Sequence, residues 1–132
     1  MTTKRELLRY TVEHIDIKSF DSTPIIESMK KMSFSSRDTA NAADILLKMV
    51  RDKECTNMLT LAGSTSAGGC MQVYVDMIKH NMIDVIVATG ASIIDMDFFE
   101  AIGYKHYIGR TDINDNKLRD LYIDRIYDTF ID

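Results

Sequence analysis

The stretch TNMLTLAGSTSAGGCMQVYVDMIKHNMIDVIVATGAS, residues 56–92, constrains the fold of this chain more than any other. Residues 56–61 predict a buried strand, and 63–69 a loop of small residues. Residues 70–79 predict a helix, and 83–88 a second buried strand that runs into Thr89-Gly90-Ala91-Ser92. Cys70, Val73, Tyr74, Met77 and Ile78 fall at i, i+3, i+4, i+7 and i+8, one apolar face at helical period. The second strand is a nearly continuous apolar run, the pattern of a parallel strand covered on both faces. Strand, helix and strand with short connections make a βαβ unit with a right-handed crossover. The expected class is α/β with a parallel sheet.

In open parallel sheets, ligands bind beyond the carboxyl ends of the strands. Both strand ends here carry small or hydroxyl-bearing residues: Gly63, Ser64, Thr65, Ser66, Ala67, Gly68 and Gly69 at one, Thr89 to Ser92 at the other. Glycine permits close approach of backbone to ligand, and Ser/Thr hydroxyls donate to phosphate or ribose oxygens. The pattern fits a nucleotide or another phosphate-bearing ligand, and it equally fits a tight turn with close helix–sheet packing. Gly63 and Gly68 have the outer spacing of G-x-x-x-x-G-K-[ST], but Gly69 and Cys70 replace the lysine and the hydroxyl. Without a cation for the phosphates or a hydroxyl for Mg²⁺, P-loop chemistry is not expected. The G-x-G-x-x-G fingerprint is absent as well, so a nucleotide here would need a nonstandard loop.

A length of 132 residues suits one domain, 1–132, with a real core. The formal charge of −4 gives no electrostatic footprint for nucleic acid or an anionic membrane. No apolar run approaches the ~20 residues of a membrane span, and the N-terminus lacks a signal-peptide core. Cys55 and Cys70 have neither zinc spacing nor a CxxC arrangement, so reduced thiols, no metal site and a cytoplasmic protein are expected.

Along the chain, residues 4–9 predict a short helical turn, and 12–17 alternate as a half-exposed strand or extended arm. His14 is expected on the surface of that arm. Thr23-Pro24 reads as a capped helix start, with Ile25, Ile26, Met29 and Met32 on one face. Ser35 and Asp38 resemble a capping box for a helix over 37–51 that buries Ala40, Ala43, Leu47 and Val50. Ser92 and Asp95 repeat that spacing, so Asp95 is either a cap or a ligand contact. Asp95 and Asp97, two apart, do not share a helix face. Residues 104–108 predict a third strand with His106 in a structural role. The apolar residues Ile123, Ile126, Tyr127, Phe130 and Ile131 at the chain's end must either dock back on the domain or be covered by another polypeptide.

Several segments together resemble one family. They are Val12-Glu13-His14-Ile15-Asp16, residues 32–38 (MSFSSRD), Leu61-Ala62-Gly63-Ser64-Thr65-Ser66, residues 80–87 (HNMIDVIV) and Arg125-Ile126-Tyr127-Asp128. In this order they resemble the N-terminal portion of deoxyhypusine synthase, closest to the deoxyhypusine synthase-like branch. The resemblance implies a Rossmann-like parallel sheet with flanking helices, incomplete relative to the family, and NAD as cofactor. It implies a transferase that oxidises a polyamine such as spermidine and passes the aminobutyl group, through an imine on a lysine, to an acceptor amine. In true deoxyhypusine synthases that acceptor is a translation-factor lysine, which becomes part of hypusine. It also implies a tetramer or hetero-oligomer with sites between subunits. Ser64, Thr65 and Ser66 match the family's first NAD-contacting loop, Thr89, Gly90 and Ala91 its second. Asp95, with Asp97, matches acidic positions toward the ribose and the polyamine.

Two departures bear on the function. Where true deoxyhypusine synthases carry paired glutamates, this chain has Ile94-Asp95-Met96-Asp97, which bears on the acceptor and the polyamine. None of Lys79, Lys105 or Lys117 matches the imine-forming lysine, so no catalytic residue is assigned. The expected protein is therefore a split enzyme, with a C-terminal half or homologous subunit supplying that lysine. The alternative is a non-catalytic scaffold subunit paired with an active homologue.

Overall fold

The computed structural model describes residues 3–132 and divides into two compact units. The first comprises the residues up to Ile15, Thr60–Tyr74 and Ala88–Asp132; the second comprises Asp16–Leu59 and Val75–Val87.

In the first unit, helix α1 (Lys4–Leu7) opens with a capping box: Thr3 Oγ1 accepts the Glu6 N–H and Glu6 Oε2 accepts the Thr3 N–H. The chain then extends, as predicted, and pairs with β3 (His106–Ile108). The Val12 N–H donates to the His106 carbonyl at 2.8 Å, and the Ile108 N–H to the Tyr10 carbonyl at 2.7 Å. Strand β3 realises the predicted third strand, but not as a continuation of the parallel sheet. It pairs antiparallel with β5 (Thr129–Ile131), which pairs antiparallel with β4 (Asp124–Ile126). A two-residue loop, Tyr127-Asp128, folds β4 onto β5, and this local hairpin supplies the edge that β3 joins.

Phe130 faces Tyr107 on one side and Arg125 on the other, and it is 1% exposed. With Leu7, Leu118 of α7 (Asp115–Asp120) and Ile123 it forms the hydrophobic core. Of the two outcomes open for the apolar C-terminal residues, docking back is the one observed for Phe130 and Ile123. Tyr127 stays exposed.

In the second unit, α2 (Thr23–Met29) and α3 (Phe34–Arg51) pack as a helical hairpin, with Lys30 bridging Glu27 at 2.7 Å and Asp44 at 2.9 Å. Both start one to three residues earlier than predicted. Thr23 is inside α2 rather than its cap, and Ser35 is inside α3, whose cap position is Ser33. Neither cap side chain bonds the backbone; Arg37 reaches back to the Met32 carbonyl instead. Ala40 is buried as expected, whereas Leu47, Ile25 and Met32 are exposed.

Strands β1 (Met58–Leu61) and β2 (Val85–Ala88) form the predicted parallel pair. In the second unit the Asn57 carbonyl accepts the Asp84 N–H at 2.8 Å, while Asp84 Oδ2 accepts the Asn57 N–H at 2.8 Å. The strands are not buried on both faces as their composition suggested. Alternate residues are exposed, Met58, Val85 and Val87 among them. With two strands only, alternation returns although the residues are apolar. Helix α4 (Met71–Lys79) completes the βαβ order, and its buried residue is Asp76, whose Oδ1 accepts from Lys18 Nζ at 2.8 Å.

Candidate functional site

Every candidate site residue lies in the first unit: Ser64, Thr65 and Ser66 after β1, Thr89, Gly90, Ala91, Asp95 and Asp97 after β2. The loop after β1 is not fully irregular. Residues 66–70 form a wide helical turn before α4, closed by the Gly68 N–H to the Ser64 carbonyl and the Cys70 N–H to the Thr65 carbonyl. Gly69 breaks the helical path with φ +92°, a conformation that needs no Cβ. After β2 the chain turns directly into helix: α5 (Gly90–Ser92), a π-helical stretch Ile93–Phe98 and α6 (Phe99–Ala101). The residue 66–70 turn packs on that π-helical stretch.

Two bonds bring the strand ends together. The Thr89 N–H donates to the Leu61 carbonyl at 3.2 Å, extending the parallel ladder. Ser92 Oγ, fully buried, donates to the Gly63 carbonyl at 2.7 Å. The S-x-x-D spacing of Ser92 and Asp95 makes no cap here: Ser92 forms no cap bond and ties the two loops across 29 residues instead. That leaves Asp95 uncapping and exposed, which removes the capping half of its two readings.

Ser66 is the most informative of the candidates. It is fully buried, and its Oγ has no hydrogen-bond partner among the described residues. Burying a hydroxyl without a partner costs on the order of 1–3 kcal/mol, so such a group marks a place where a polar atom belongs. Ser64 is half-buried, while Thr65, Thr89, Gly90 and Ala91 are exposed. Asp95 lines a cavity of about 550 Å³ with Phe99, Tyr104, His106, Asp124 and Arg125. Phe99 and Tyr104 meet edge to face, their ring centres 5.6 Å apart, and stiffen one wall. Asp97 does not line this cavity; it is half-buried, with Oδ1 lacking a partner among the described residues. The i, i+2 spacing had already placed the two carboxylates on different faces. Another cavity, about 480 Å³ and lined by Asp115, Leu118 and Ile123, contains no candidate residue.

His14 does not sit free on the surface. Its Nε2 bonds Glu100 Oε1 at 2.7 Å, and Glu100 Oε2 bonds His106 Nδ1 at 3.0 Å. No sequence spacing signals this cluster, because its members are 86 and 6 residues apart. Among the described residues no group of His, Cys, Asp and Glu has the arrangement to hold a metal ion, Cys55 and Cys70 are thiols outside any disulfide, and no helix is long and apolar enough to cross a membrane.

The fold and the site thus define an α/β protein with hydroxyl-bearing loops at the carboxyl ends of two adjacent parallel strands. A family model described as deoxyhypusine synthase matches residues 24–132. The chain is 67% identical over 129 residues to a deoxyhypusine synthase-like protein of Caulobacter vibrioides, covering 98% of this chain and 35% of that protein. Proteins of the same description from Coxiella burnetii and Chlorobaculum tepidum are 62% and 50% identical, each over 98% of this chain and 37% of theirs. This chain belongs to the deoxyhypusine synthase family, and it spans about a third of the length of these curated relatives.

Proposed function

We propose that this chain is the NAD-binding portion, 1–132, of a Rossmann-like deoxyhypusine synthase-like transferase, which moves an aminobutyl group from a polyamine such as spermidine to an acceptor amine. The observation that carries the reading is the buried Ser66 Oγ, without a hydrogen-bond partner among the described residues, in a loop that Ser92 fastens to the loop after β2. Ser64, Thr65 and Ser66 would hold the cofactor from one strand end, Thr89, Gly90, Ala91 and Asp95 from the other. Bound NAD would supply hydride acceptance.

This chain's own part is binding and orientation. Ser66 offers a hydroxyl that already lacks bulk solvent, so a bond to it competes with no water. Asp95, beside the Phe99 and Tyr104 wall, offers a carboxylate and aromatic surface suited to a cationic amine. Asp97 is the second acidic candidate toward that amine. Lys79 and Lys105 are exposed and Lys117 is half-buried, so none has the desolvated setting that activates an imine-forming lysine. That lysine would come from a C-terminal half or a homologous subunit, in a tetramer or hetero-oligomer. Phe130 and Ile123 pack within the first unit, and the chain spans about a third of the length of the curated relatives it matches.

The reading is tested by titrating NAD+ into the chain and into a Ser66→Ala, Thr89→Ala double variant. The expected result is binding by the first and at least a tenfold loss in the second, about the contribution of two hydrogen bonds at about 1 kcal/mol each. Equal affinity for both chains would overturn the placement of the cofactor. Aminobutyl transfer is expected only when a lysine-bearing partner is added; a partner fully active without this chain's NAD binding would favour the scaffold alternative.

A further inference from the structure

Outside the two loops, a part-buried cluster reaches the first of them through backbone bonds. Residues 10–15 run as a strap, bonded to β3 at one end through Val12 and Tyr10. At the other end the Ile15 N–H donates to the Gly69 carbonyl at 2.9 Å. The fit there is close: a Cβ on Gly69 would stand 2.9 Å from the Glu13 carbonyl oxygen. Between these anchors His14 meets Glu100, and Glu100 meets His106. The three side chains are 17%, 10% and 4% exposed.

With Glu100 accepting from both rings, His14 donates from Nε2 and His106 from Nδ1. Both carboxylate oxygens are thereby used. Removing one imidazole leaves a mostly buried carboxylate oxygen without its partner, which is the costly outcome for a buried charge.

We propose that His14 and Glu100 are positioning residues for the nucleotide loop: the His14–Glu100–His106 cluster pins the strap, and the strap holds the Gly69 turn in its ligand-ready conformation. This rests on the nucleotide reading of that loop. Neither side chain touches the ligand; both act through the Ile15 N–H and the Glu13 carbonyl.

The test uses the full chain with two substitutions. His14→Phe keeps a flat ring and removes the donor, whereas His14→Gln places an amide N–H where Nε2–H stood. Hydrogen exchange is read at the Ile15, Gly68 and Cys70 amides, and NAD+ affinity by calorimetry. His14→Phe is expected to speed exchange at those three amides and to weaken NAD+ about tenfold, as for one lost charge-assisted bond. The Thr129–Ile131 amides of β5 stay protected, and His14→Gln restores both readouts. Unchanged exchange at the three amides, loosening that spreads equally to β5, or a glutamine no better than phenylalanine would overturn the proposal. If the unsubstituted chain takes no NAD+ while the loop still loosens with phenylalanine and recovers with glutamine, the strap stands and the nucleotide reading falls.

Discussion

At the scale of single residues, two small ones, Ser92 and Gly109, sit where little else would fit. Ser92 spends its hydroxyl on the Gly63 carbonyl, so Ser92→Ala is expected to cost about 1 kcal/mol in urea unfolding and to weaken NAD+ binding. An unchanged midpoint and affinity would show that the two loops hold together without it. Gly109 sits against the core: its Cβ would stand 2.7 Å from the Phe130 ring and 2.9 Å from the Asp128 carbonyl. Gly109→Ala is therefore expected to destabilise the chain by about 1–3 kcal/mol, measured as a lower thermal midpoint. Residue types were legible in the sequence, and the roles of several were not. Ser64 to Ser66 and Thr89 to Ala91 stand out by composition alone. The Ser92 bond to Gly63 imitates a capping pattern, and local spacing carries no trace of a partner 29 residues away.

At the scale of elements, α1 illustrates a pH-dependent end. The Thr3 backbone N–H, followed by the Thr3 hydroxyl, holds the Glu6 carboxyl below its usual 4.5. A carboxyl lowered in the folded state contributes above its unfolded value and loses that contribution as pH falls through the folded one. The Leu7 and Leu8 amides should thus exchange faster as pH drops below about 4.5, beyond the intrinsic trend, with no such change at β5. The β4–β5 hairpin carries Tyr127 at φ +53°, in the left-handed region that suits Asn or Gly. Tyr127→Asn should stabilise the chain by up to about 1 kcal/mol. A lower midpoint would mean that the exposed ring is held by something the hairpin geometry does not explain.

Element types followed well from periodicity, as α3, α4, β1 and β2 show, while pairing partners did not. Residues 104–108 read as a strand, but periodicity does not report its antiparallel partners, β5 after the glycine-free Tyr127-Asp128 turn and residues 10–12.

At the scale of the whole molecule, two compact units share a chain whose candidate loops all fall in one of them. The core of that unit is small, built on Leu7, Leu118, Ile123 and Phe130. Phe130→Ala should cost about 3–5 kcal/mol and release β3 and β4 together, because both pair with β5. The apolar composition of β1 and β2 anticipated two covered faces, whereas Met58 and Val87 are exposed. Composition records what a strand is suited to contact, and the structure records what these 132 residues provide.

Amide chemical-shift mapping of the full chain as NAD+ is added tests the nucleotide site most directly. Shifts are expected to concentrate at residues 63–70 and 89–95, with those around Ser66 the largest. Shifts centred on α7 and the β4–β5 hairpin, or none at saturating NAD+, would contradict it.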